Sequence, residues 1–258
     1  MLTFKNLNIL CLIILFSFFV VNHFIDIPMT MFIVLIIVWF TLTSIGSFNI
    51  GWNYHLKALN KNISIKKRHV AITFDDGPNN IYTPQVLKLL KSYKAKASFF
   101  CIGKNIEMYP SVLKDIANQG HTIGNHTYTH SYSMGFFRKE KVIHEINKTK
   151  KLVEKILGKK MKLFRPPFGI TNPSIAKAIQ QEKKQVIGWN IRSLDTIIND
   201  ENKILNRIKS KISPGSVILL HDTCEKSINV LKQLLLFLYE NNYQSVTVDT
   251  LFNIDAYE

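Results

Sequence analysis

The first 56 residues hold one basic and one acidic side chain, Lys5 and Asp26, and are dominated by two long apolar runs. A segment so poor in charge cannot share one solvent with the rest of the chain, where the whole formal charge of +15 lies. Residues 7–21 are nearly all Leu, Ile, Phe and Val, and residues 25–45 form a second run broken early by Pro28. A bilayer crossing needs about 20 apolar residues. The second run has that length. The first, about 15 residues, gives roughly 22 Å and reaches Phe24 only by including Asn22 and His23.

Two readings of this segment compete. The first run can be a signal-peptide core, although no small-x-small site follows it. Alternatively the two runs form a membrane helical hairpin whose turn carries Asn22, His23, Asp26 and Pro28 but no Lys or Arg. Lys5 precedes the hairpin, and Lys57, Lys61, Lys66, Lys67 and Arg68 follow it. For a two-pass protein the positive-inside rule puts both termini and the main domain in the cytoplasm. If only the second run spans, from a cytoplasmic N-terminus, the domain lies outside. Trp39, Trp52 and Tyr54 are candidate interface anchors. The chain thus divides into a membrane-anchoring segment 1–56, a basic linker 57–68 and a soluble domain 69–258.

A hydrophobic content of 47% with 20% charged residues excludes a disordered chain, and three Cys exclude a disulfide scaffold. Cys101 and Cys224 lie far apart, Cys11 lies in an apolar run, and none has metal-type spacing. The basic balance means either a lysine-rich solvated surface or an anionic partner such as lipid headgroups or a polyanionic glycan. No readout motif accompanies it, so nucleic acid is not an expected partner.

Beyond residue 68, strand and helix patterns alternate. Strands are predicted over 70–74, 97–102, 121–125, 163–165, 186–189, 217–221 and 244–248. Helices are predicted over 83–92, 110–118, 139–157, 173–181, 201–212 and 227–241. Thr83 is read as a helix cap with Pro84 in the first turn, and Gly158 as a helix stop. About seven strands alternating with helices imply a parallel α/β fold, either a closed barrel or an open doubly wound sheet. In both, the carboxyl ends of the strands form the functional face. Asp75, Asp76, His126, His130, Arg165, Asp195 and His221 all fall at or just after such ends.

Those residue types suit metal-assisted hydrolysis. His126 and His130 are four apart, so on a helix they would share one face, a common ligand spacing. A carboxylate from Asp75-Asp76 would complete a His₂Asp site with open positions. Neighbouring residues on a strand point to opposite faces, but the following Gly77-Pro78 turn can aim both carboxylates inward, one to the metal and one as general base. The same four residues can also be a plain Asx-turn closing a strand. Arg165 heads the stiff loop Arg165-Pro166-Pro167-Phe168-Gly169 and can hold a carboxylate in a bidentate pair, or be a surface arginine beside a turn. His221 can be a general acid tuned by Asp195, or an ordinary hydrogen-bonded histidine.

Five motifs in order carry a family resemblance. They are Thr73-Phe74-Asp75-Asp76-Gly77-Pro78, His126-Thr127-Tyr128-Thr129-His130, Arg165-Pro166-Pro167-Phe168-Gly169, the stretch from Trp189 to Asp195, and Ile218-Leu219-Leu220-His221-Asp222. From about residue 70 to 248 the chain resembles the polysaccharide deacetylase family, which includes the chitooligosaccharide deacetylase of nodulation. The resemblance implies a distorted, incomplete (β/α) barrel, a divalent metal (usually zinc) and release of acetate from N-acetylated amino sugars. It implies Asp75 as general base, Asp76, His126 and His130 as metal ligands, and Arg165 as the residue orienting Asp75. It further implies His221 as general acid paired with Asp195, the Phe168 backbone N–H as an oxyanion donor and Leu219 as a wall of the acetyl pocket.

The fourth motif departs from the pattern. Many members have two Asp residues followed by Trp; here Arg192 stands at the first Asp position and Thr196 at the Trp position. The expected function is membrane-anchored de-N-acetylation of a polysaccharide, oligosaccharide or peptidoglycan-type glycan. Cell-wall substrates of that kind call for an extracytoplasmic domain. The alternatives are deacylation of a lipid-linked sugar at the membrane face, or a non-catalytic glycan-binding module.

Overall fold

The computed structural model describes residues 2–258. Two apolar helices come first, α1 (Phe4–Asn22) and α2 (Met29–Phe48). There follow β1 (Ala58–Leu59), β2 (His69–Asp75), α3 (Tyr82–Ser92), β3 (Ala97–Cys101), α4 (Gly103–Met108), α5 (Pro110–Asn118) and β4 (Thr122–Asn125). The second half contains α6 (Lys139–Leu157), β5 (Leu163–Phe164), α7 (Pro173–Gln181), β6 (Gln185–Ile187), β7 (Ile191–Arg192) and α8 (Glu201–Lys209). It ends with β8 (Val217–His221), α9 (Glu225–Glu240), β9 (Gln244–Ser245) and α10 (Val248–Phe252).

All named strands pair in parallel, in the order β1-β6-β5-β4-β3-β2-β8-β7, with β9 attached to β2. β1 and β7 end that order without pairing to each other, so the sheet curls into a half-barrel that stays open. This is the incomplete (β/α) barrel, and it excludes the closed barrel. The described residues form nine strands rather than seven. The two additional ones, β1 and β7, are two residues long and carry no alternation to read.

Alternation along β2 explains how the sheet builds both a core and a site. Val70, Ile72 and Phe74 face outward and pack against leucines of α3 and α9, including Leu90 and Leu234. Ala71, Thr73 and Asp75 therefore face inward, where Ala71 meets Phe100, Leu163 and Ile187. Pairing sets Asp75 level with Phe100 on one side and His221 on the other. α10 replaces the end of the strand expected over 244–248, and its Val248 and Leu251 plug the inner core. Thr83 is not the cap of α3. The Asn79 side chain accepts from the N–H groups of Ile81 and Tyr82, while Thr83 donates to the buried Asp222.

The sheet starts inside the 57–68 segment, because β1 pairs with β6. α1 and α2 pack on each other as a hairpin, with Trp39 Nε1 donating to Asn8 Oδ1 at 2.8 Å. Most of their apolar side chains remain exposed, and both helices are long and apolar enough to cross a membrane. The base of the hairpin is fastened to the domain. Tyr54 is buried rather than interfacial: a Cβ on Gly46 would come within 2.5 Å of its ring. The Ser47 carbonyl accepts from the Thr171 N–H at 2.9 Å, and Ile50 packs with Phe164, Ile175 and Val186.

Candidate active site

Asp75 is the last residue of β2 and is buried beneath the strand ends. Strand geometry would send Asp76 to the other face. It does not, because Asp76 leaves the strand at φ 73°, a left-handed conformation that Asp tolerates better than most side chains. The Asn105 side chain holds this turn by donating to the Asp76 carbonyl at 2.7 Å. Both carboxylates consequently reach the same cavity.

His126 and His130 lie beyond β4 in a loop, not on a helix, so helical spacing is not what unites them. Thr127 and His130 take φ of 65° and 50°, folding the loop back on itself. Glu145 of α6 keeps it folded. Its Oε2 accepts from Tyr128 N–H at 3.1 Å, Thr129 N–H at 2.7 Å and the Thr129 hydroxyl at 2.8 Å. Glu145 was not singled out from the sequence. Its signal is a carboxylate on the apolar face of a helix, between the buried Val142 and Val153.

His126 Nδ1 donates to the Arg165 carbonyl at 2.8 Å. Its Nε2 faces Asp76 Oδ1 at 3.5 Å; His130 Nε2 lies 3.3 Å from the same oxygen. Burial raises the Asp76 carboxyl, but His126, His130 and His221 outweigh it and push the group down to about 2. Burial and the nearby His126 push His130 down to about 4, which favours a neutral imidazole.

Asp76 Oδ1 is buried without a hydrogen-bond partner. A charged acceptor in that condition is costly unless a cation occupies the space it faces. The potential ligand atoms of Asp76, His126 and His130 lie within 4.8 Å of one another. One carboxylate and two imidazoles with open positions form a donor set that fits a divalent metal.

Arg165 is fully buried, which excludes the surface alternative. Its Nη1 donates to Asp75 Oδ1 at 2.7 Å and to the Thr73 hydroxyl at 2.8 Å. Nε donates to the Ile187 carbonyl and Nη2 to the Gly188 carbonyl. The guanidinium lies 4.0 Å from the Phe100 ring centroid. Every edge of the group is occupied, so it places Asp75 with little freedom.

Asp195 is buried and accepts from His221 Nδ1 at 2.8 Å. Ser193 and Ser227 hydroxyls donate to the same carboxylate. Burial alone would lower the His221 imidazolium, but the bond and charge of Asp195, helped by Asp75 and Asp76, raise it to about 9. Phe168 sits at φ 59°; its ring stacks on Tyr132 and meets His130 edge-on. Leu219 is buried in β8.

These residues share one cavity of about 320 Å³. Asp75, Asp76, His126, His130 and His221 form its polar floor, and Leu219, Phe168, Tyr132 and Trp189 supply apolar wall. Arg192 and Thr196 line it too. All nine sequence-predicted site residues therefore lie in or directly behind one space, with Arg165 and Asp195 behind.

The sequence model described as polysaccharide deacetylase matches residues 62–187. A peptidoglycan-N-acetylglucosamine deacetylase of Bacillus cereus is 37% identical over 187 residues, covering 70% of this chain and 87% of the relative. A chitooligosaccharide deacetylase of Azorhizobium caulinodans is 33% identical over 163 residues, 63% of this chain and 77% of that one. The crystal structure of the Bc1960 peptidoglycan N-acetylglucosamine deacetylase superposes with a TM-score of 0.73 at 31% identity, covering 78% of this chain and 94% of that one. With five ordered motifs meeting in one cavity of the same open half-barrel, the chain belongs to the polysaccharide deacetylase family.

Proposed function

We propose that this chain is a metal-dependent hydrolase that removes acetyl groups from N-acetylated amino sugars of a peptidoglycan-type or chito-oligosaccharide glycan. Asp76 Oδ1 carries the reading: a buried, unpartnered carboxylate oxygen faced by two imidazole nitrogens. A purely glycan-binding module has no use for such an arrangement. It lies beside a buried carboxylate and a histidine suited to proton transfer.

Asp76, His126 and His130 would hold the ion, with zinc the usual choice for this donor set. Bound there, it would supply Lewis acidity toward the acetamido carbonyl and activation of a water molecule. Asp75, held by Arg165, is placed to take the proton from the attacking water as the new C–O bond forms. The Phe168 N–H donates to the developing oxyanion. His221, oriented by Asp195, protonates the sugar nitrogen as the C–N bond breaks, releasing acetate and a free amine. Leu219 packs against the acetyl methyl.

The domain 69–258 is proposed to sit at a membrane through a two-pass anchor within 1–56. The support is the exposed apolar flanks of α1 and α2 and the absence of Lys or Arg in their turn. The fastening of α2 to the loop that bears Phe168 favours a second reading, deacylation of a lipid-linked sugar at the membrane face. The test is acetate release by the full chain in detergent from chito-oligosaccharide, peptidoglycan fragments and a lipid-linked amino sugar. Each is assayed before chelation, after it, and after readdition of zinc. Turnover that ignores chelation removes the metal-hydrolase reading.

A further inference from the structure

Arg192 occupies a cavity position where the resemblance calls for an aspartate. β7 fixes where its side chain goes. Ile191 pairs with Ile218 and Arg192 with Leu219. Paired residues on neighbouring strands share a face. Ile191 and Ile218 both lie in the outer core, so Arg192 projects with Leu219 into the cavity.

Arg192 is exposed at the mouth of the cavity, and its guanidinium has no partner within the protein. Among the described residues it has no carboxylate within salt-bridge distance and no hydrogen-bond acceptor; only its backbone carbonyl is engaged, by Arg207 Nε at 2.9 Å. Arg165 behind the same cavity is the contrast, with every edge bonded. Nor is Arg192 needed to balance the site's acids. Asp75 is paired with Arg165, and Asp76 faces the imidazoles. Four residues on, Thr196 lines the same cavity with a short side chain, leaving room beside the cation.

A neutral acetamido sugar presents hydroxyls, for which an arginine has no advantage over a neutral donor. The planar fork of a guanidinium matches two oxygens of a carboxylate or phosphate. We propose that Arg192 forms an oxyanion subsite, so that the preferred substrate is an amino sugar carrying a carboxylate or phosphate next to the reacting acetamido group. This rests on the deacetylase reading. A lactyl ether carboxylate on the same sugar and a phosphate at the anomeric carbon are the two sources of such a group.

The experiment compares wild type with Arg192→Gln and Arg192→Lys as full chains in detergent. The sugars are a neutral N-acetylglucosamine oligomer, a glycan bearing N-acetylmuramic residues without peptide, and a diphosphate-linked N-acetylglucosamine. Turnover and equilibrium binding are both measured. In Arg192→Gln the ratio of anionic to neutral kcat/KM should fall about 10-fold, mainly through KM, and Arg192→Lys should recover part of it. Rising salt should erode the preference in wild type and not in Arg192→Gln. The arm that responds identifies carboxylate or phosphate. A ratio within twofold of wild type in both arms overturns the subsite. If no sugar is turned over, the deacetylase reading fails, while the anion dependence of binding still decides the subsite.

Discussion

The carboxylate of Asp195 grips His221 at two points: Oδ1 accepts from the imidazole Nδ1–H and Oδ2 from the backbone N–H, each at 2.8 Å. The ring is thereby fixed in tautomer and direction, with Nε2 toward the cavity. Asp195→Asn keeps the size but replaces one charged acceptor with a neutral amide. We expect kcat to fall about 10²-fold with metal content unchanged. Removing the charge that raises the His221 imidazolium should also move the basic limb of the pH–kcat profile to lower pH. An unmoved limb would show that Asp195 only packs.

Asp75 and Asp76 are chain neighbours with different surroundings. Asp75→Asn should retain metal while kcat drops by ~10²–10⁴, the usual size of a lost proton transfer. Asp76→Asn should lose metal affinity, and excess zinc should partly restore turnover. Metal content and turnover across a zinc titration separate the two. Equal metal loss in both variants would refute this division of labour.

Glu145→Ala leaves the Tyr128 and Thr129 N–H groups without their shared acceptor. The expected cost is about 1–3 kcal/mol of stability, since two partly buried donors would lose their acceptor. Metal affinity should fall as well, although Glu145 is not one of the three potential ligands. Thermal unfolding and metal titration check both effects, and Glu145→Gln, which keeps an oxygen, should be milder. Wild-type metal affinity in Glu145→Ala would remove its role in shaping the loop.

His121 gives the fold an acid weakness remote from the cavity. It is buried, and its Nδ1 accepts from the Ala97 N–H at 3.2 Å, a bond only the neutral ring can make. Burial, with some help from Lys96, lowers its pKa from 6.5 to about 4. The unfolded chain therefore binds the proton first as pH falls. The stabilisation is complete above pH 6.5 and is lost as pH drops through about 4, amounting to about 3 kcal/mol at most. His121→Gln should flatten the unfolding midpoint across that window. A slope equal to wild type would show that other groups set it.

The parallel α/β class was legible because buried strands such as Val217–His221 and helices such as Lys139–Leu157 have strong, distinct periodicities. The cavity residues were legible because strand ends mark the functional face. What pattern could not reveal is how neighbouring side chains are redirected. Asp76 comes inward through a left-handed backbone, and the two histidines meet through a folded loop, neither of which leaves a period in the sequence. Two-residue strands such as β7 are likewise invisible, although β7 aims Arg192.

The bond from Thr171 N–H to the Ser47 carbonyl joins the end of α2 to a loop whose other end carries Phe168. Tyr54 packed on Gly46, Ile50 in the core and β1 in the sheet leave little slack between apolar helix and half-barrel. With α1 and α2 in a bilayer, the cavity would ride at a set height above the lipid, as on a short rigid post rather than a rope. Such an enzyme cannot sweep a thick layer of polymer. Anchored in that way, it would reach only substrate held close to the lipid surface.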